Sequence, residues 1–314
     1  MKNTCIFLRS TKTLFLMLDT TKLIEIFISC DDFLKEYQPQ IDAYQLGQTN
    51  WKSALSKSEA LTILIYFHLA DKRNFKSYYQ DVILNIWKSW FPDAPSYTHF
   101  VSLIPKIQME SFIFLHTSCL EAPTANNFID SKPLEVCHIK REKQHKVFDN
   151  LATKGKTSKG YFFGLKIHVV CNQNGGIVKL KLSTGKTSDN THELLRTLLK
   201  NIQAKVYGDK GYNSAIKEEF AQQGTQLIAK PKKNMKNKKL TFEQTHYLKA
   251  RAVIESVFEI LTHGCHLDHT RHRSPKNFIV NLWTAFIAYA FKERKPSAMS
   301  FNPICLNDRK IALS

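Results

Sequence analysis

Along residues 21–118 the apolar positions recur at i, i+3 and i+4, the spacing that lines one face of a helix. The pattern is clearest in "TTKLIEIFISCDDFLKEY" and "SKSEALTILIYFHLADKRNFKSYYQDVILNIW". Ser56 and Glu59 have the spacing of a capping box, which predicts a helix start there. "WFPDAPSYTHFVSLIPKIQMESFIFLHTSCL" is punctuated by prolines and then resumes a helical pattern. The first third is therefore expected to be mostly α.

The texture changes near Asn127. "FIDSKPLEVC" reads as a strand, and "YFFGLKIHVVCNQNGGIVKLKLSTGK" as a hairpin. In the latter Phe163, Leu165, Ile167 and Val169 alternate with Gly164, Lys166, His168 and Val170, and "NQNGG" supplies the turn. "SDNTHELLRTLLKNI" predicts a helix capped by Ser188 or Asp189. "AKVYGDK" predicts a short strand, "NSAIKEEFAQQG" a helix ended by Gly224, and "TQLIAKP" another strand. "TFEQTHYLKARAVIESVFEILTH" reads as one long helix, and "SPKNFIVNLWTAFIAYAFKE" closes the fold. The order β, ββ, α, β, α, β, α predicts an α/β domain, a mixed sheet flanked by helices. The expected division is a leader at 1–20, a helical domain at 21–120, the sheet domain at 121–295 and a tail at 296–314.

The chain has 314 residues, of which 43% are hydrophobic and 23% charged, enough apolar content for a sizeable core. Its net charge of +18 points to a polyanionic partner, most simply nucleic acid. An anionic membrane surface has the same sign, yet the N-terminal apolar stretch is broken by Arg9 and Lys12, and "NFIVNLWTAFIAYAF" is too short to span. No membrane partner is expected. Seven cysteines without a C-x-x-C pair read as reduced thiols of a cytoplasmic protein. "HGCHLDHTRHRS" is rich in histidine but lacks the paired ligand spacing of a structural zinc site.

Three acids stand where acids are costly or well placed. Asp130 interrupts a strand-like apolar run, Asp209 ends "AKVYGD", and Glu255 sits among Ile254, Val257, Phe258 and Leu261. Carboxylates from three elements can share divalent metal, which relieves their mutual repulsion. Spacing alone leaves other roles open. Asp130 can cap a turn, Asp209 can be an ordinary Asp before a glycine turn, and Glu255 can pair with Arg251 at i, i+4.

The stretches "IDSKPLEVC", "GYFFGLKIHVV", "STGKTSD", "VYGDKGY" and "R-x-x-x-E-S-V-F" occur here in an order that resembles DDE-type insertion-sequence transposases. With "DDFLKEY", "LTILIYFH", "FKSYY" and "PSYTHFV", the chain looks most similar to the insertion-sequence family numbered nine-eighty-two, over about residues 22–292. The resemblance implies an RNase H-like core that cuts and joins DNA with two Mg²⁺ (or Mn²⁺) ions held by Asp130, Asp209 and Glu255. It implies element-end inverted repeats and target DNA as partners, end binding by the helical domain, a homodimer in the synaptic complex and a place in the bacterial cytoplasm with the nucleoid. Tyr247 and Arg251 fit the tyrosine and arginine that precede the glutamate, although the tyrosine spacing is one residue long. The lysine expected seven positions after Glu255 is Thr262. Asp189 in "KTSD" is expected beside the site or as a helix cap rather than as a ligand. The remaining DNA contacts are expected from Lys230, Lys232 and Lys233 in "KPKKNMKNKK" and from Arg271 and Arg273. The rival functions are an RNase H-like nuclease that does not join DNA, and a DNA-binding transposase derivative without catalysis.

Overall fold

The computed structural model describes residues 18–44, 51–157, 160–213, 216–230, 240–268 and 272–298. They fall into two units: 1–119 together with 261–292, and 120–260 together with 293–314. The expected leader and most of the expected tail lie outside the described residues. Residues 261–292, which the sequence pattern places with the sheet, pack instead with the N-terminal helices. Among the described residues no helix is long and apolar enough to cross a membrane.

The first unit is helical: α1 (Thr20–Tyr44), α2 (Lys57–Phe67), α3 (Phe75–Tyr78, continuing as a π-helical stretch Tyr79–Ile86), α4 (Tyr97–Leu103), α5 (Gln108–Phe114) and the helix Pro275–Ala290. The capping box forms: Ser56 Oγ accepts from the Glu59 amide at 3.1 Å, and Glu59 Oε2 accepts from the Ser56 amide at 2.7 Å. Helix α2 is apolar on nearly every side, from Ala60 to Phe67, and is buried throughout that run, as a central helix must be.

Two polar devices lie inside this unit. Glu110 has 0% exposure, and Lys57 donates to its carboxylate at 2.6 Å. Removing one member of a buried pair strands the other charge. Lys57→Ala is therefore expected to cost about 3 kcal/mol in urea unfolding at pH 7, and a loss under 1 kcal/mol would refute the pairing. His68 is buried, with Nδ1 2.7 Å from the Cys265 carbonyl and Nε2 3.0 Å from Thr284 Oγ1. Burial holds its pKa down to about 3. Its unfolded value near 6.5 lies above that, so between pH 6.5 and 3 the unfolded chain binds more protons. The stability it confers is complete above pH 6.5 and falls as the pH drops through that window. Relative to pH 7, its share of the loss by pH 4.5 is about 3 kcal/mol. His68→Gln, which keeps a donor and an acceptor but does not titrate there, should flatten the pH profile of urea midpoints by that amount.

Among the described residues the second unit is built on six strands: β1 (Asn126–Cys137), β2 (Thr153–Thr157), β3 (Gly160–Asn172), β4 (Ile177–Thr184), β5 (Lys205–Gly208) and β6 (Gln226–Ala229). Helix α6 (His192–Leu199) follows β4, α7 (Lys217–Gln222) lies between β5 and β6, and α8 (Phe242–Ala250) and α9 (Ala252–Glu259) follow β6. β3 lies antiparallel between β1 and β4, and β1, β5 and β6 run parallel. The order β4-β3-β1-β5-β6, with one antiparallel strand beside the first, is the sheet of an RNase H-like fold. β2 pairs with the first residues of β3, end to end with β4 along the same edge.

Three sequence expectations are corrected in this unit. β2, "TKGKT", was not foreseen, because lysines and a glycine replace apolar alternation. The long helix is two helices broken at Arg251. The cap of α6 is Thr191, not Ser188 or Asp189; the Asp189 side chain is used elsewhere.

Candidate active site

The sheet brings two of the three acids to one level. β1 and β5 pair as Asn127↔Val206 and Phe128↔Tyr207. Asp130 and Asp209 each lie two residues further along, so both project on the face that carries Phe128 and Tyr207. Gly208 precedes Asp209, and a Cβ there would meet the Tyr212 side chain at 2.9 Å. The glycine lets Tyr212 fold back under the strand end. Asp209 then caps the short turn Lys210–Tyr212, its Oδ1 accepting from the Gly211 amide.

Arg251 supplies the third connection. It sits at the break between α8 and α9, donating from one guanidinium nitrogen to Asp130 Oδ2 at 2.9 Å and from the other to Glu255 Oε1 at 2.8 Å. The i, i+4 pair with Glu255 follows from helical spacing; the reach to Asp130 follows from the packing of α9 on β1. The Asp130 side chain is 24% exposed. Its pKa is pushed up to about 6, first by burial and further by the charge of Asp209, while Arg251 and the Ser131 amide pull it down. Glu255 is 61% exposed, more open than its apolar neighbours suggest. Val253, Ile254, Val257 and Phe258 form the buried face of α9, and Glu255 stands at its edge.

The opposite face of β1 carries a second polar group. Ser131 Oγ donates to Asp189 Oδ1 at 2.8 Å, and the same oxygen accepts from Lys166 Nζ at 3.2 Å. Lys166 also donates to the Thr187 carbonyl at 3.0 Å. His168 Nδ1 lies 3.6 Å from Asp189 Oδ1 and Nε2 lies 2.8 Å from Ser183 Oγ. Burial lowers its pKa to about 4, so it is neutral at pH 7. The Tyr212 hydroxyl is buried beside these groups; burial, then the charges of Asp189, Asp130 and Asp209, raise its pKa well above the phenol value. Lys166 and His168 are visible in the sequence as polar residues of one face of β3, but nothing local there ties them to Asp189.

The other expected site residues are more scattered. Tyr247 is buried on α8, 4% exposed, with its ring 5.4 Å from that of Tyr207. Lys230 is exposed, and its carbonyl accepts from Asn213 at 2.6 Å. Arg273 is exposed in the helical unit, just before Pro275. Lys232, Lys233 and Arg271 lie outside the described residues. Thr262 is buried in the π-helical turn Ile260–Gly264 and offers no cation there.

Among the described residues, no group of three or more His, Cys, Asp and Glu stands close enough to hold a metal ion. The donor chemistry nevertheless fits one. Asp130 and Asp209 offer hard carboxylate oxygens, and the half-buried Asp130 keeps a raised pKa even with Arg251 beside it.

The RNase H-like sheet thus carries one acid on β1 and one just past the end of β5, with a third on the helix α9 that follows. Residues 121–275 match the family model of a transposase DDE domain, which supports a DDE transposase, a class whose domains generally use divalent metals. Among solved structures the chain is similar to the synaptic complex of piggyBac transposase with hairpin DNA, with TM-score 0.45 and 11% identity over 85% of this chain and 70% of that one. No curated protein matched the sequence.

Proposed function

We propose that this chain is an insertion-sequence transposase that cuts the ends of its element and joins them to target DNA. The observation that supports the reading is the place of Asp130 on β1 and of Asp209 just past the end of the neighbouring β5, within the matched domain, with Glu255 tied to Asp130 through Arg251. Asp130, Asp209 and Glu255 would hold the divalent metal, two Mg²⁺ or Mn²⁺ ions. Bound there, the metal supplies Lewis acidity and charge for the attacking and leaving oxygens of an in-line displacement.

The chain's own residues do the rest. Arg251 holds Asp130 and Glu255 in register before metal arrives. Its release from Glu255 frees that carboxylate as a ligand and leaves the guanidinium to meet a phosphate. The Ser131–Asp189–Lys166 group stiffens β1 directly behind Asp130. In the first step a P–O3′ bond at the element end breaks as water adds to phosphorus. In the second, the freed 3′-hydroxyl attacks a target phosphodiester and displaces its 3′ oxygen. Neither step requires a covalent bond to protein, so no serine or tyrosine nucleophile is assigned. Membership of the nine-eighty-two family, a dimeric synaptic complex and a cytoplasmic site of action belong to this same reading.

The test uses the DNA that flanks the reading frame as a labelled duplex, with a plasmid as target. Cuts at repeat ends that need Mg²⁺, together with label joined to the plasmid, are expected. Scattered cuts without joining would replace the reading by a nuclease, and binding without metal-dependent chemistry by a non-catalytic DNA-binding protein.

A further inference from the structure

Within the helical unit a cavity of about 580 Å³ opens between α2, α3, α4 and the helix Pro275–Ala290. That volume falls in the range of small-ligand sites. Two half-buried aromatic rings, Phe75 and Tyr97, line it. Their centroids are 6.2 Å apart and their planes are inclined by 46°, so they meet at an angle rather than stacking on each other. Asn277 and Asn281 line it too, four residues apart on one helix face. The Asn277 side-chain oxygen is buried and has no hydrogen-bond partner among the described residues, while Asn281 bonds the His272 imidazole. Arg73 and Lys76 are exposed lining residues, and the Lys76 ammonium stands 5.9 Å above the Tyr97 ring.

These features match one chemical class. An aromatic wall suits the π-face of a nucleobase. Amides that each donate and accept suit its hydrogen-bonding edge. Two exposed cations suit the phosphates on either side of it. A duplex is too wide for the cavity, but a single unstacked base is not. We propose that this cavity takes one nucleobase turned out of a DNA strand. Tyr97 or Phe75 contacts the ring, Asn277 and Asn281 meet its edge, and Arg73 and Lys76 meet the adjoining phosphates. The proposal rests on the reading of DNA as substrate for the source of the base, and on the cavity for everything else.

The experiment uses the full chain and a set of short duplexes of one sequence, fully paired or carrying a single bulged nucleotide, each of the four bases in turn. Affinities are measured by fluorescence anisotropy at one salt concentration. At least one bulged duplex should bind about tenfold more tightly than the paired duplex. Asn281→Leu and Tyr97→Leu, each checked for an unchanged unfolding midpoint, should bring the two affinities together. A 2-aminopurine at the bulge should change its emission on binding the wild-type chain. Equal affinity of the wild-type chain for paired and bulged duplexes overturns the proposal without using any variant, as does a preference that survives both substitutions. If no duplex binds at all, the DNA reading falls with it; binding without preference removes the cavity's role alone.

Discussion

Asp209→Asn is expected to reduce metal-dependent DNA cutting by roughly a thousandfold or more while leaving the fold intact. Asp209 is exposed, so the change buries nothing. Its structural duty is to accept from the Gly211 amide, and an asparagine oxygen caps a turn nearly as well as a carboxylate. What the substitution removes is negative charge beside Asp130, on the strand end where the two acids stand level. A metal ligand lost at a phosphoryl-transfer site forfeits several kcal/mol of transition-state charge stabilisation, and each 1.36 kcal/mol is tenfold in rate. The pair of measurements is the initial cutting rate with Mg²⁺ and the urea midpoint. A rate within tenfold of the wild type, at an unchanged midpoint, would remove Asp209 from the catalytic set. A lowered midpoint would instead reveal a structural duty beyond the cap.

Arg251→Ala should show the opposite signature, a stability effect that depends on pH. Arg251 pulls the Asp130 pKa down against burial and against Asp209. Without it that pKa rises above its present value of about 6. A carboxyl whose folded pKa exceeds the unfolded one favours folding at low pH and opposes it as the pH rises through the gap. The loss should therefore be largest at pH 8, about 2 kcal/mol for a partly exposed carboxylate deprived of its partner. It should shrink at pH 5, where folded Asp130 is mostly protonated in either protein. The variant should also gain more from added Mg²⁺ in thermal unfolding than the wild type does, because a divalent cation then meets two carboxylates that no guanidinium contests. Equal losses at pH 5 and pH 8 would show that Arg251 contributes packing rather than charge.

Local spacing made the elements legible, and long-range register hid most of the site. The hairpin of β3 and β4, the capping box of α2 and the Arg251–Glu255 pair are all short-range, and each followed from residues a few positions apart. The second hand of Arg251 reaches Asp130 across 121 positions, and Ser131 reaches Asp189 across 58. No local pattern encodes either. The pairing of β1 with β5 that sets Asp130 level with Asp209 is equally invisible, since parallel register is decided by packing on both faces. β2 escaped notice because its strand character comes from its partner β3, not from its own side chains. The break at Arg251 carries no glycine or proline to announce it. Tyr247 was expected from a motif whose tyrosine spacing it exceeds by one residue, and its ring packs in the core beside Tyr207. The apolar pattern of residues 275–290 predicts a buried helix, but nothing in it says which unit that helix joins.

That return has a temporal meaning. The helical unit is interrupted in sequence by the whole of the sheet unit, and His68 on the early side needs Cys265 and Thr284 from the late side. On a ribosome adding about 5–20 residues per second, the early helices emerge and wait on the order of ten seconds for their missing helix. The sheet unit, whose strands and principal helices are contiguous between residues 120 and 260, can fold during that interval. Nascent helices with α2 still uncovered are a natural client for a chaperone. A fragment cut at residue 120 would remain in that unfinished condition, whereas a fragment that also supplies the helix Pro275–Ala290 in trans would have the means to leave it.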